Sequence, residues 1–327
     1  ALWGGVVPGN AAELGPMVDA GAVGFKAFMC DSGVDEFPMS KEKDLRAAMP
    51  ILAKKGVPLL VHAELEGSHP HLHGDPRAYQ TFLQSRPRTW EVDAIRMMIR
   101  LSRETGCHVH IVHLSAADAL DEIKKARAEG VKISAETCPH YLYFAAEEIP
   151  PGATQFKCTP PIRERENRER LWQGLREGII DFVVSDHSPC TPRLKKLEQG
   201  NFEEAWGGIS GLQFSLSVVW TAMKDRGFGP ETLCRWMSVK PAEFLRIPHG
   251  IARGNAASLA VWSPERSFKL EEKLIRHKHR LTPYIDRTLF GVVEKTFVRG
   301  HQVYDERISV SGAKRVGRQL TLGGISI

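Results

Sequence analysis

Short apolar, β-rich runs alternate with longer amphipathic segments along most of this chain, and that alternation leads to βαβ units and a parallel sheet. The runs at 24–29, 58–62, 109–113, 132–136 and 181–186 each close on polar or small residues. Between them, segments 40–55 (behind the N-cap candidate Ser40), 91–105, 116–130 and 164–177 place apolar residues at helical spacing. Five such units in 327 residues predict an α/β fold of the (β/α)8 TIM-barrel type, an architecture that routinely exceeds about 200 residues as one domain. From Gly250 the texture changes to strand-like runs with turns, at 258–262, 266–270, 291–299 and 302–304. The expected organisation is therefore an α/β barrel over 1–250, carrying the chemistry, and a small β-sandwich appendage over 251–327.

Composition narrows the partners. The 44 basic and 39 acidic residues are interspersed, and the net charge of +5 forms no stripe of the kind nucleic acid requires. No run approaches the roughly 18 to 20 uninterrupted apolar residues of a membrane span, and the first residues lack the layout of a signal peptide. The six cysteines (Cys30, Cys107, Cys138, Cys158, Cys190 and Cys234) are dispersed with no CxxC pair, which reads as reduced thiols and a cytoplasmic protein without nucleic-acid or membrane partners. Cys107 and Cys234 read as buried small hydrophobes.

In a parallel barrel the reactive residues sit at the C-terminal ends of strands. Four strand ends here carry Lys26 (GFKAFM), His62 (LLVHAE), His113 (HIVHLS) and Asp186 (VVSDHSPC). Two imidazoles and a carboxylate suit a borderline divalent ion such as zinc. A lysine belongs in that set once its neutral amine captures carbon dioxide, because the carbamate's two oxygens can bridge a pair of metal ions. Taken singly, each has a plainer reading: Lys26 as an exposed lysine, His62 and His113 as hydrogen-bonded core histidines. The neighbours of Lys26, Phe25, Ala27 and Phe28, make a poor setting for a solvated charge.

The order GFKAFM, VHAE, VHLS, SDHSPC resembles that of the cyclic amidohydrolases of the amidohydrolase superfamily, the group of allantoinase, dihydropyrimidinase and dihydroorotase. The resemblance runs on through KCTPPIR (157–163), GGISGLQ (207–213) and HKHRLTPY (277–284). It is strongest to the allantoinase branch, since Cys30, Asp31, Ser32 and Gly33 stand where dihydropyrimidinases carry a substrate-binding tyrosine. The resemblance implies two metal ions, zinc by type, bridged by hydroxide and by carboxylated Lys26. His62 and His113 would ligate one ion; Asp186 would ligate the other and serve as general base and then acid. It implies ring-opening of allantoin to allantoate in purine breakdown, with a dihydropyrimidinase or hydantoinase, or a non-catalytic assembly protein, as alternatives. Cys30, Ser32, Cys158, Gly208, Ile209 and Ser210 would meet the small cyclic amide substrate, and a homotetramer is the usual assembly of such relatives.

One departure stands out. The family places an HxH motif before the lysine, and this sequence has no histidine before His62. The resemblance aligns 2–7 with the third barrel strand, so the expectation is an N-terminally truncated part of a longer chain, with a partial barrel that lacks its first strands over 1–250 and the C-terminal part of the small β domain over 251–327. Three HxH triplets occur downstream, at His71–His73, His108–His110 and His277–His279. His108 lies five residues before His113, about 16 Å along a strand at about 3.3 Å per residue, towards the opposite end of the barrel. His71 and His73 fall in the loop after His62, on the correct face. Of the remaining candidates, Thr137 and His140 lie near another strand end, with packing and hydrogen bonding as the plainer reading and a functional role as the alternative; alternation points His187 out of the barrel and leaves it unassigned, and Glu91 reads as the favourable carboxylate of a helix start.

Overall fold

The computed structural model describes residues 1–67, 74–308, 316–318 and 320. Six strands, β1 (Gly4–Gly5), β2 (Phe25–Phe28), β3 (Leu59–His62), β4 (Val109–Ile111), β5 (Ile133–Thr137) and β6 (Phe182–Val183), form one sheet in sequence order. Every adjacent pair is parallel. Helices α1 (Ala11–Asp19), α2 (Glu42–Lys55), α3 (Tyr79–Ser85), α4 (Arg88–Thr105), α5 (Leu120–Ala128), α6 (Pro139–Tyr143) and α7 (Arg165–Arg176) are interleaved with these strands, and α8 (Ser215–Met223) follows them. The expected alternation is therefore present, with β1 and β6 much shorter than the runs that contain them.

Local chemistry sets the helix limits. Asp44 accepts the Lys41 amide at 3.0 Å at the start of α2, Lys54 and Lys55 sit in its last turn, and Gly56 takes the left-handed backbone that closes it (φ 67°). Phe25, Leu59, Val61, Val109 and Ile111 are buried, joining Leu45, Met49, Leu52, Ile95 and Met98 in one core. The opposite face of the sheet carries Lys26, His62, His110, Ser134 and Glu136 among the apolar Phe28, Leu60 and Phe182. Register pairs Lys26 with Leu60, Leu60 with His110 and His110 with Ser134, one layer across four strands. His110 hydrogen-bonds Ser134 Oγ at 2.7 Å and Glu136 at 3.0 Å. His108 meets the same Ser134 hydroxyl from the N-terminal side at 2.8 Å, away from His113 as its spacing requires.

The expected runs 258–262 and 266–270 are one strand, β7 (Leu259–Lys269), which pairs antiparallel with β8 (Thr288–Val298), itself paired with β9 (His301–Asp305). The break between the two runs is a bulge spanning Pro264, which has no N–H for the ladder, and the register shifts between Ser263 and Ser267. Ser217 in α8 donates to Gly291 O at 2.6 Å, and Trp220 Nε1 to Pro264 O at 2.9 Å, docking this small sheet on the larger body. Cys234 is exposed, contrary to the expectation of burial, because it ends a five-residue helix whose buried residue is Leu233. Among the described residues no helix is long and apolar enough to cross a membrane.

Glu91 does sit in the first turn of α4, but it is buried and reaches the turn after β4. Its carboxylate accepts the Ser115 amide at 2.7 Å and the Ala116 amide at 2.9 Å, with Arg163 Nη2 at 3.5 Å. Asn167 closes the same turn, donating to Ser115 O and accepting from the Ala117 amide. The carboxylate thus fixes the chain two residues beyond His113 rather than answering a helix dipole. Glu91→Ala would leave two amides and the Arg163 guanidinium buried without it, and a loss of about 3–5 kcal/mol in urea unfolding is expected.

Candidate active site

Lys26, His62, His113 and Asp186 come together at the C-terminal rim of the sheet. The rings of His62 and His113 meet edge to face with centroids 4.6 Å apart, and His62 stacks on Phe28 at 5.2 Å. Lys26 lies one layer lower, and its long side chain rises so that Nζ stands 4.9 Å from the Phe28 centroid. Burial draws the amine down to about 8, although the charges of Asp186 and Glu136 oppose that shift. Burial also pushes both imidazoles down, with Lys26 adding to the effect. His62 and His113 are therefore neutral, the form that binds metal.

Asp186 is exposed as a residue, while its carboxyl is largely enclosed by protein. That enclosure raises its carboxyl pKa, Lys26 lowers it, and Glu136 raises it again. Two further signs mark the rim. His113 Nδ1 is buried with no hydrogen-bond partner among the described residues, a state that calls for a ligand. His113 and Asp186 both hold positive φ, 42° and 41°, and left-handed backbone at non-glycine residues concentrates at functional positions.

A carboxylate passed over in the sequence completes the surroundings. Glu64, two residues after His62 in VHAE, is fully buried and lies 2.7 Å from His62 Nε2. Arg86 grips it from the other side at 2.7 and 3.1 Å. Burial alone would raise the Glu64 carboxyl, but His62 and Arg86 outweigh it and hold the pKa at about 2. Among the described residues, Cys30, His62 and Glu64 are the one group of His, Cys, Asp or Glu with donor atoms within 4.8 Å of one another; His62, His113 and Asp186 are not drawn that close. The Cys30 thiol, pushed up to about 12 by burial and Glu64, is protonated and a poor ligand. Glu64 is already taken by Arg86, so it orients His62 instead.

Among the expected substrate contacts, Cys30 is buried with Sγ 4.0 Å from Arg86 Nη2. The Ser32 hydroxyl shapes its own loop, 2.7 Å from Phe37 O and 3.1 Å from Val34 O. Cys158, Gly208, Ile209 and Ser210 are brought into one neighbourhood: the Gly208 amide donates to Lys157 O at 2.9 Å, the Ser188 amide to Ile209 O at 3.0 Å, and Thr282 Oγ1 to Ser210 O at 2.6 Å. A Cβ on Gly208 would fall 2.5 Å from Ser188 Oγ and 2.9 Å from Ser188 O, so only glycine permits this approach to the Asp186 turn. His187 Nδ1 accepts the Gly211 amide at 3.2 Å and its ring meets His277 at 5.3 Å. Thr137 Oγ1 bonds Leu114 O, tying β5 to the end of β4, and His140 is buried in aromatic contact with Tyr141. His71 and His73 lie outside the described residues.

Helices on one face of an ordered parallel sheet, with reactive side chains at its C-terminal rim, are the layout of a barrel enzyme. The chain belongs to the amidohydrolase family, whose model matches residues 16–303, and its fold is that family's TIM barrel in part. It is 45% identical over 330 residues to the allantoinase of Arabidopsis thaliana, covering 95% of this chain and 65% of the relative. It is 45% identical to that of Streptomyces avermitilis (92% and 68% covered) and 41% to that of Saccharomyces cerevisiae (95% and 68%). Among solved structures, the L-hydantoinase (dihydropyrimidinase) of Arthrobacter aurescens superposes with a TM-score of 0.86 at 31% identity, covering 94% of this chain and 70% of that one. The chain thus spans about two thirds of the length of the curated relatives it matches.

The strained backbone separates fold from chemistry at Asp186. Asparagine tolerates left-handed backbone as aspartate does, so Asp186→Asn is expected to keep the melting temperature. Asp186→Val, β-branched at the same φ, is expected to lower stability by about 1–2 kcal/mol in thermal unfolding.

Proposed function

We propose that this protein opens the ring of allantoin by hydrolysis, giving allantoate, as a step of purine breakdown. The observation that carries the reading is the convergence of Lys26, His62, His113 and Asp186 at one rim, joined by the likeness to allantoinases. Family membership implies a binuclear metal centre, and the residues present fit one. The two imidazoles are neutral, Nδ1 of His113 is buried without a partner, and the Lys26 amine has a pKa of about 8. We assign His62, His113, Asp186 and a carbamate on Lys26 as the ligands this chain supplies, with zinc as the ion. The carbamate forms when the neutral amine adds to carbon dioxide and releases a proton.

Metal ions held there would polarise the scissile carbonyl and acidify a water. The chain's own residues do the rest. Asp186 accepts a proton from the incoming water as its oxygen bonds the ring carbonyl carbon, then delivers that proton to the ring nitrogen as the C–N bond breaks. Glu64 and Arg86 hold His62 in one orientation, and the backbone at Cys158 and Gly208–Ser210 grips the ring amides. The six free thiols, five of them buried, suit a reducing compartment such as the cytosol.

Turnover of allantoin against dihydrouracil tests the substrate. Allantoin is expected to be the better substrate; faster dihydrouracil hydrolysis would make the protein a dihydropyrimidinase, and turnover of neither, without bound metal, a non-catalytic relative. Asp186→Asn is expected to lower kcat by about 10²–10⁴-fold with the circular dichroism spectrum retained. Lys26→Ala is expected to lose metal by elemental analysis, and full metal content in that variant would contradict the carbamate.

A further inference from the structure

Lys195 is buried to within 1% of full enclosure, an unusual place for an ammonium. It forms no ion pair with a carboxylate among the described residues. Its Nζ instead lies 2.8 Å from Lys157 O, 2.8 Å from Trp206 O and 2.5 Å from Gly208 O. Three carbonyl acceptors match the three N–H bonds of an ammonium, and neither a neutral amine nor the planar fork of arginine offers that geometry. Burial draws the Lys195 pKa down to about 8, and the three carbonyl dipoles are the counterweight that keeps the proton in place.

Those carbonyls belong to two segments far apart in sequence that meet beside Asp186. The Lys157 carbonyl also accepts the Gly208 amide at 2.9 Å, so lysine and amide share one oxygen. Trp206 Nε1 reaches Ser188 Oγ at 3.3 Å, two residues beyond Asp186. The loop that carries Lys195 is held from outside by Phe202, buried and stacked on Phe82. In a trans peptide the C=O and the following N–H point in opposite directions, and the peptides following Lys157, Trp206 and Gly208 are trans. Fixing these three carbonyls therefore fixes the direction of the N–H groups of Cys158, Gly207 and Ile209.

We propose that Lys195 is a positioning residue for substrate: its ammonium gathers the carbonyls of Lys157, Trp206 and Gly208 and so sets the backbone that grips a cyclic amide beside Asp186. The proposal rests on the cyclic-amidase reading above. It places the effect of Lys195 on substrate binding, through backbone orientation, and not on the metal ligands or the proton transfer.

The test is steady-state hydrolysis of allantoin by the full, metal-loaded chain and by Lys195→Met, with metal analysis and amide hydrogen exchange followed by mass spectrometry. The expected result is KM raised about tenfold or more with kcat within about threefold. Metal content should be retained, and exchange should be faster in the peptides holding Cys158 and 207–210 than in β2–β4. An unchanged KM with an active parent overturns the role of Lys195, as does a loss of kcat and metal together, the signature of general unfolding. A parent that hydrolyses no cyclic amide overturns the functional reading, and the proposal with it. If Lys195→Met does not fold, Lys195→Gln, which keeps two of the three N–H donors, carries the same test, with a smaller rise in KM expected and an unchanged KM overturning the proposal.

Discussion

Parallel pairing is the constraint on which the site depends. Because all six strands run the same way, their C-terminal ends lie on one rim, and residues that end successive strands become neighbours however much chain separates them. This rule brings together His62 at the end of β3, His113 just past β4 and Asp186 just past β6, and Lys26, one layer lower within β2, reaches towards them by its long side chain. The helices between the strands serve the arrangement by burying the other face of the sheet. Glu91, sent from the first turn of α4 into the turn after β4, shows how directly a covering helix sets a rim residue.

The electrostatics of the rim follow from enclosure. An amine and two imidazoles pushed towards neutrality are costly to bury and of little structural use, whereas they are the donors a cation and carbon dioxide require. The surroundings separate these groups from the ones that stay charged. Glu64 and Arg86 neutralise each other beside His62, and Lys195 spends its charge on backbone carbonyls. Groups held neutral and fixed charges therefore stand close together. The left-handed backbone at His113 and Asp186 falls at the same end of the sheet, just beyond β4 and β6.

What the sequence made legible was whatever is local. A lysine between phenylalanines, or a histidine closing an apolar run, declares itself within six residues, so the four rim residues and their strands could be read directly. The supports could not. Glu64 and Arg86 are 22 positions apart, Glu91 and Ser115 24, and Lys195 and Lys157 38. A charged residue in a loop looks solvated until the fold brings its partner to it. For the same reason the bonds that the Ser32 hydroxyl makes to carbonyls of its own loop, Val34 O and Phe37 O, are ones that no spacing reveals. The split of β7 into two runs misled differently: Pro264 interrupts the alternation at a bulge while the strand continues.

Two arrangements of metal donors share His62: the proposed set Lys26, His62, His113 and Asp186, and the set Cys30, His62 and Glu64, which among the described residues is the one group of His, Cys, Asp or Glu side chains with donor atoms within 4.8 Å of one another. Anomalous diffraction at the zinc edge, from crystals grown with zinc and bicarbonate, distinguishes them most directly. The account requires zinc in contact with His62 and His113 and a carbamate on Lys26 Nζ. Zinc bound by Cys30 and Glu64, with Lys26 unmodified, would contradict it.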